Sequence, residues 1–334
     1  MYEWILFVLI VALLLYVILA GADFGAGILE LFTSRKYREE MEGITYQAIG
    51  PVWEANHIWL ILIIVILFNG FPKTYALIST YLHLPIMLML IGIVFRGTAF
   101  AFRHYDAIRD RSHRVYSSAF TMASFLTPLF LGSIAGATIL GRLRTTPTDF
   151  LSGYIWPWFN PFSLSLGLMT SALFAFLAAT FLIGETEDGS NLQQRVIRQA
   201  VMALGATVLL GGVVFLSGEL AGFSLAGRFL EHPLSLIGVG LATLGLGLFL
   251  AVLRKKRWHL LRIVAGGLAS LIVLSWIAAQ YPVAIRLADG EHLTLHATRA
   301  PDLVMTILGY GLIFGVLSIF PALFFLIKTF KYRS

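Results

Sequence analysis

Residues 16–32, YVILAGADFGAGILELF, and residues 50–68, GPVWEANHIWLILIIVILF, each hold an acid deep within a largely apolar stretch. The two acids are Asp23 and Glu54. At membrane depth an ionisable side chain costs roughly 2.5–3.5 kcal/mol on insertion scales, so such a residue marks an ion path, a proton relay or a buried pair. The two stretches therefore predict membrane-spanning helices and direct the search for function to the first part of the chain.

The composition is that of a membrane protein. The chain has 334 residues, of which 58% are hydrophobic and 13% charged, whereas a soluble domain is about 25% charged. There are no cysteines, which excludes disulfides, thiolate metal sites, iron–sulfur clusters and covalent c-type haem attachment. The net charge of +6 indicates basic loops against anionic lipid rather than a nucleic-acid partner.

Nine segments contain the roughly 20 apolar residues that a membrane span requires. The first lacks a basic leading region and continues past the length of a signal peptide, so we expect it to be a retained helix. The predicted fold is all-α: one polytopic membrane domain with two four-helix bundles (1–141 and 142–285), then a peripheral ninth helix and tail (286–334). The nine predicted spans are 4–32, 46–70, 74–102, 115–141, 161–184, 196–217, 233–253, 260–285 and 302–327.

The basic residues predict the orientation of these spans. Of the 24 Lys and Arg residues, 17 lie in the odd-numbered connections and the C-terminal tail, and 6 on the opposite side. Because Lys and Arg stay on the cytoplasmic side, the sequence predicts an external N-terminus and a cytoplasmic C-terminus.

With this orientation Asp23 and Glu54 lie at similar depth, about 12–14 Å below the cytoplasmic surface at 1.5 Å per residue. The loop between their helices is short, which favours neighbouring helices and a shared site suited to a proton relay. Two other interpretations stay open. If Pro51 is the first residue of helix 2, Glu54 lies in the first turn, where a carboxylate interacts favourably with the positive end of the helix dipole. Arg96 in helix 3 is a candidate counter-ion to either acid.

His57 lies three residues after Glu54 on the same helical face. It either extends the relay, ligates a metal or is simply hydrogen-bonded. His83 is at a different depth, so the two histidines make a poor pair of haem ligands. The glycines of GADFGAG (21–27) have no preceding strand, and we interpret them as sites of close helix approach around Asp23.

Asn56, between Trp53 and Trp59, is interpreted either as polar packing or as the lining of a ligand or gas path. The basic residues after helix 3 belong to the inner headgroup region. Neither a Walker motif, nor a nucleophile elbow, nor HExxH occurs in the sequence.

Four long motifs resemble subunit II of cytochrome bd-type quinol oxidases in order and spacing. They are GADFGAGILELF (21–32), GPVWEANHIWLI (50–61), FNGFPKTYALISTY (68–81) and FRGTAFAFRHYD (95–106). The resemblance of the second half is in hydropathy only. The resemblance of the four motifs implies that the chain is a subunit of a bacterial inner-membrane complex. Such a complex oxidises quinol at the outer face and reduces dioxygen to water with cytoplasmic protons.

The resemblance also implies partners and site residues. Haems b and d belong to subunit I, the heterodimer partner, so no cofactor is expected on this chain. A structural quinone or lipid, and a small single-helix accessory subunit, remain open. Asp23 and Glu54 resemble the family's proton-path acids, Trp53 accompanies them, and Trp59 resembles its oxygen-channel tryptophan. Some members have Asp at position 54, so Glu54 reaches one methylene further.

Two other functions are considered. A proton-coupled secondary transporter would use Asp23 and Glu54 as its coupling site, but transporters usually carry broken helices in both halves. A purely structural assembly subunit would also bury acids near its partner, and the sequence separates it poorly from a proton path.

Overall fold

The computed structural model describes residues 1–50, 53–105 and 111–331. Within these ranges the chain is almost entirely helical, with a 3₁₀ turn at Arg35–Tyr37 and one short hairpin. The helices are α1 (Tyr2–Leu31), α2 (Arg38–Ile49), α3 (Trp53–Asn56), α4 (Ile58–Gly70), α5 (Pro72–Tyr81), α6 (His83–Tyr105), α7 (Arg111–Leu140), α8 (Phe150–Tyr154), α9 (Pro161–Ile183), α10 (Asn191–Leu220), α11 (Leu225–Glu231), α12 (Pro233–Arg254), α13 (Trp258–Gln280) and α14 (Asp302–Lys331).

Nine spans in the described residues are long and apolar enough to cross a membrane. They are α1, α3 with α4, α6, α7, α9, α10, α12, α13 and α14. The prediction of an all-α polytopic membrane protein with about nine spans is confirmed.

The centre of the molecule is α9. Its most apolar window is 78% buried, against 17% for the corresponding windows of α10 and α12. It packs on α1 and α7 as well as on α10, and α13 joins α12 to this centre. Because α9 packs closely on helices of both halves, the division into two four-helix bundles stays a prediction, as do the domain boundaries drawn from it. The ninth span, α14, lies against α1 and α4.

Two predicted spans differ from the observed helices. The segment 74–102 is broken at Leu82, between α5 and α6. Pro85 explains the break, because it has no N–H to donate to the carbonyl of Tyr81 four residues earlier. The segment 46–70 begins inside the polar helix α2, and its apolar part is divided at His57 into α3 and α4.

A small antiparallel hairpin follows α13 and was not predicted. Its strands are β1 (Val283–Arg286) and β2 (His292–Thr294), with Arg286 opposite His292. The turn contains Asp289 and Gly290, and Gly290 has a φ of +87°, the left-handed region that glycine enters without strain. An Asp-Gly pair between short apolar runs is the hairpin signal that the sequence offered.

The glycines of residues 21–27 are sites of close helix approach, as predicted. A Cβ on Gly25 would overlap the main-chain carbonyl of Phe174 on α9, and one on Gly27 would overlap Ser124 Oγ on α7. These contacts bring α1 close to α9 and α7 in the part of the helix that contains Asp23. The glycines therefore help to position the acid between these helices.

Candidate functional site

Asp23 and Arg96 form a buried ion pair in the first part of the chain. The Arg96 Nη2 lies 2.6 Å from Asp23 Oδ1, and each side chain is 1% exposed. The same nitrogen donates to the main-chain oxygen of Asp23 at 3.0 Å, and Arg96 Nε donates to Ser124 Oγ at 3.1 Å. Because α6 packs mainly on α7, the long arginine side chain reaches across to α1.

A second buried pair lies nearer the end of α1. Arg103 Nη1 donates to Glu30 Oε2 at 2.6 Å, and both side chains are nearly inaccessible. Beyond it, Glu42 on α2 lies 3.9 Å from Arg103 Nη1 and accepts a hydrogen bond of 3.0 Å from Ser117 Oγ. His113 Nε2 is 3.9 Å from the other oxygen of Glu42.

Sequence reasoning missed Glu30, and it assigned Arg103 to the basic loops. A signal was present in the spacing. Asp23 and Glu30 are seven residues apart, as are Arg96 and Arg103, and seven residues are two helical turns or about 10.5 Å. Equal spacing with matched partners shows that α1 and α6 run in the same direction, with two rungs of opposite charge between them. We call these two pairs, with Glu42, the polar ladder.

Aromatic rings fill the space between the rungs. The Arg96 guanidinium lies 4.8 Å from the Phe24 ring centroid and 5.0 Å from that of Phe120. The Arg103 guanidinium lies 4.3 Å from the same Phe120 ring. Cation–π attraction is strongest where water is excluded, so Phe120 links the two rungs as a low-dielectric spacer.

His57 belongs to the same site as Asp23. Its ring centroid is 5.7 Å from Phe24 and 6.5 Å from Tyr16. Three buried polar atoms here have no hydrogen-bond partner among the described residues: Asp23 Oδ2, Tyr16 OH and His57 Nδ1. Buried polar atoms are nearly always satisfied, so this group is unusual for a structural core.

Glu54 is not part of this buried site. It lies in the first turn of α3, its side chain is exposed, and its carboxylate makes no hydrogen bond or ion pair with a described residue. The adjacent Trp53 turns inward instead, against Phe100 with 5.8 Å between ring centroids and against Gly97. The structure thus brings Asp23, Arg96 and His57 together and leaves Glu54 at the surface. Pro51 lies outside the described residues.

The other predicted residues divide between core and surface. Asn56 is 7% and Trp59 4% exposed, and Trp59 lies in the same hydrophobic core as Tyr16 and Phe24. His83 is exposed at the start of α6, and its Nδ1 is 2.8 Å from the main-chain oxygen of Thr80. Within the described parts of the chain, no group of three or more His, Cys, Asp or Glu could hold a metal ion.

Residues 1–330 match the family described as cytochrome bd terminal oxidase subunit II. Subunit 2 of the cytochrome bd-I ubiquinol oxidase of Escherichia coli K12 is 27% identical over 206 residues, 59% of this chain and 53% of that relative. Subunit 2 of the Bacillus subtilis 168 cytochrome bd ubiquinol oxidase is 27% identical over 205 residues, 60% of this chain and 57% of the relative. The chain thus aligns with about half the length of these relatives.

A solved structure extends the likeness to the whole fold. The bd oxidase from Geobacillus thermodenitrificans superposes with a TM-score of 0.76 at 19% identity, covering 98% of this chain and 97% of that one. At this identity the likeness concerns the arrangement of the helices.

Proposed function

Because the chain belongs to the cytochrome bd terminal oxidase subunit II family, we propose that it is the haem-free subunit of a quinol:oxygen oxidoreductase. In this proposal it supports a haem-bearing subunit I, which holds haems b and d and binds the quinol. Its own contribution is to carry protons from the cytoplasm and to help oxygen reach the partner's reaction centre, where oxygen is reduced to water. The N-terminus then faces outward and the C-terminus the cytoplasm.

The observation that carries the proton role is the polar ladder. Its acids follow one another from Glu42, which is partly exposed, through Glu30 to Asp23, which is 1% exposed. The predicted orientation places Glu42 at the cytoplasmic end. A purely structural core gains little from such a series, because replacing a buried ion pair by apolar residues is often neutral or stabilising.

The free atoms at the inner end of the ladder define its chemistry. Arg96 donates a hydrogen bond to Asp23 Oδ1, whereas Asp23 Oδ2 has no donor among the described residues. Oδ2 is therefore the atom that would receive a proton. His57 Nδ1 and Tyr16 OH are the neighbouring unpartnered atoms. Buried polar groups of this kind are ordinarily bridged by ordered water, and such a bridge would continue the path from Asp23 to His57.

Glu54 has a separate role in this proposal. An exposed acid within a membrane span faces protein or a water-filled cavity rather than lipid. We assign the Glu54 face to subunit I, so that Glu54 passes or receives protons at the subunit boundary. Trp53 behind it, with Asn56 and Trp59, would line the route along which oxygen enters.

The proposal is tested on the purified complex with the variants Asp23→Asn, Glu54→Gln and Glu187→Gln. Glu187 is exposed in the loop after α9, outside the ladder, and its variant is the matched control. We expect the first two to slow quinol-driven oxygen consumption and proton uptake with full haem content, and the control to match wild type. If both site variants turn over at the wild-type rate, the proton role is wrong and this chain is an assembly subunit. Proton uptake that persists without subunit I would instead favour a transporter.

A further inference from the structure

An apolar cleft lies between α10 and α12, among helices that carry no residue of the polar ladder. It has a volume of about 210 Å³, and residues of α9 and α13 form its floor. Its hydroxyls come from Thr207, Thr243 and Ser275. Each donates to a carbonyl four residues earlier in its own helix, at 2.6–2.9 Å. The three hydroxyl hydrogens are therefore already used within the helices.

The cleft opens towards the membrane and ends at aromatic rings. Val208 and Val239 on its walls are 53% and 41% exposed. At the end nearest α11, Phe229 lies 5.1 Å from Phe215 and 5.3 Å from Trp276, measured between ring centroids. A hydrocarbon chain from the bilayer fits such a space, because the walls are apolar and the entrance faces lipid.

Two arginines lie beside this end of the cleft, and both guanidiniums contact the same aromatic ring. Arg228 precedes Phe229 on α11, and its guanidinium is 4.7 Å from the ring centroid of Phe223. Arg286 on β1 is 5% exposed, with its guanidinium 5.6 Å from the same centroid. No carboxylate in the described residues forms an ion pair with either arginine.

Several polar atoms around this pair lack hydrogen-bond partners in the described chain. Arg286 Nε donates to Gln280 Oε1 at 3.3 Å, its one hydrogen bond to a described residue. Arg228 Nε, Gln280 Nε2 and His232 Nδ1 are buried without a hydrogen-bond partner in the described chain. Burial, together with the nearby charge of Arg228, lowers the pKa of Arg286 to about 10. An anion would relieve the repulsion and satisfy the unpartnered donors.

We propose that Arg228 and Arg286, with the cleft beneath α11, bind one anionic phospholipid from the leaflet on the N-terminal side. Its phosphate lies between the two guanidiniums and one acyl chain enters the cleft. Basic pockets between membrane helices bind such headgroups. A quinone does not fit this chemistry, because its uncharged ring cannot neutralise two neighbouring arginines without a carboxylate partner in the described residues.

Binding is measured through Trp276 in the purified complex, with phosphatidylglycerol brominated on its acyl chains as the probe. Bromine quenches a nearby indole, and subtracting the signal of the Trp276→Phe complex isolates this tryptophan. We expect saturable quenching by phosphatidylglycerol and about tenfold weaker binding of phosphatidylcholine with the same chains. Equal affinities for the two lipids would overturn the proposal.

The arginines are tested by Arg228→Gln/Arg286→Gln, with Arg142→Gln/Arg144→Gln as the matched control. Arg142 and Arg144 are exposed in the loop after α7, beside the same hairpin. We expect the first pair to lose the preference for phosphatidylglycerol and the control to retain it. Arg228→Lys/Arg286→Lys keeps the charge and should retain most of the affinity, which decides the question if the glutamine pair fails to assemble. Loss in the control, or retention in the glutamine pair, contradicts the assignment.

The cleft is tested by Ala242→Phe, which fills it and leaves both arginines in place. We expect this variant to lose the quenching of Trp276. Undiminished quenching would mean that the acyl chain lies elsewhere. Inorganic phosphate serves as a competitor: if it binds to the arginines while brominated lipid never quenches Trp276, the site is one for free phosphate and the lipid proposal is wrong.

Discussion

Arg96 holds both the side chain and the main chain of Asp23, through one guanidinium nitrogen 2.6 Å from Oδ1 and 3.0 Å from the backbone oxygen. The main-chain carbonyl belongs to the α1 backbone. A single side chain of α6 thereby fixes the position of the helix as well as the charge of the acid.

Arg96→Gln should therefore be more harmful than the loss of both charges. Removing one partner of a buried pair leaves an uncompensated charge and costs about 3–5 kcal/mol. Asp23→Asn/Arg96→Gln removes both charges, and we expect it to recover most of that stability. Thermal unfolding of the purified complex measures the difference. Equal destabilisation of the single and double variants would mean that the pair contributes through packing rather than charge.

Glu30→Gln tests the rung that sequence reasoning missed. If protons pass along the ladder, neutralising Glu30 should lower oxygen consumption by about a hundredfold or more, since a positioned proton-transfer group contributes about 10²–10⁴-fold. The matched control is Glu40→Gln, since Glu40 is exposed on α2. A Glu30→Gln complex that turns over at the wild-type rate with intact haems would limit the path to Asp23 and beyond.

Gly25→Ala tests the approach of α1 to α9. The added methyl would overlap the carbonyl of Phe174, and overpacking of this kind costs about 1–3 kcal/mol. Gly205→Ala is the control, because a Cβ on this helical glycine meets no atom within 4 Å. We expect a lower melting temperature for the first complex and an unchanged or slightly higher one for the second. A Gly25→Ala complex that melts no lower than the Gly205→Ala control would mean that α9 moves aside without cost.

Asp188 gives a pH-dependent contact outside the membrane spans. Hydrogen bonds from Gln193 and from the Trp258 indole N–H, each 2.9 Å long, lower its pKa below the usual value of 3.8. A depressed carboxyl pKa means that the contact is fully present above the ordinary pKa and is lost as pH falls through the folded-state value. Trp258 fluorescence, taken as the difference from Trp258→Phe, should be constant above pH about 4 and change below it. Asp188→Asn should weaken this acid transition.

The sequence predicts the spans well because a single physical rule, apolar length against bilayer thickness, determines them. The breaks at Leu82 and His57 are harder, since a proline or a local hydrogen-bond pattern interrupts helices without changing hydropathy. The hairpin after α13 was overlooked although Asp289 and Gly290 marked its turn.

The site shows the limit of reasoning from depth alone. Residue spacing along each helix gives depth, and it assigned Asp23 and Glu54 to the same level. It gives less information on which face a helix turns inward, and Asp23 is buried whereas Glu54 is exposed. The count of basic residues assigned Arg103 to a cytoplasmic loop and used it to predict the orientation of the spans. Arg103 is instead 8% exposed and bound to Glu30.

The matched seven-residue spacing of the two rungs has a consequence for biosynthesis. The acids of α1 leave the ribosome well before Arg96 and Arg103, so they have no basic partner until α6 follows. Both ion pairs form only when the third span is inserted in the correct axial alignment, because a shift of one turn would separate both acids from their arginines. A nascent chain that ends before Arg103 thus holds Glu30 without its basic partner, and a lone carboxyl in the bilayer takes up a proton rather than stay charged.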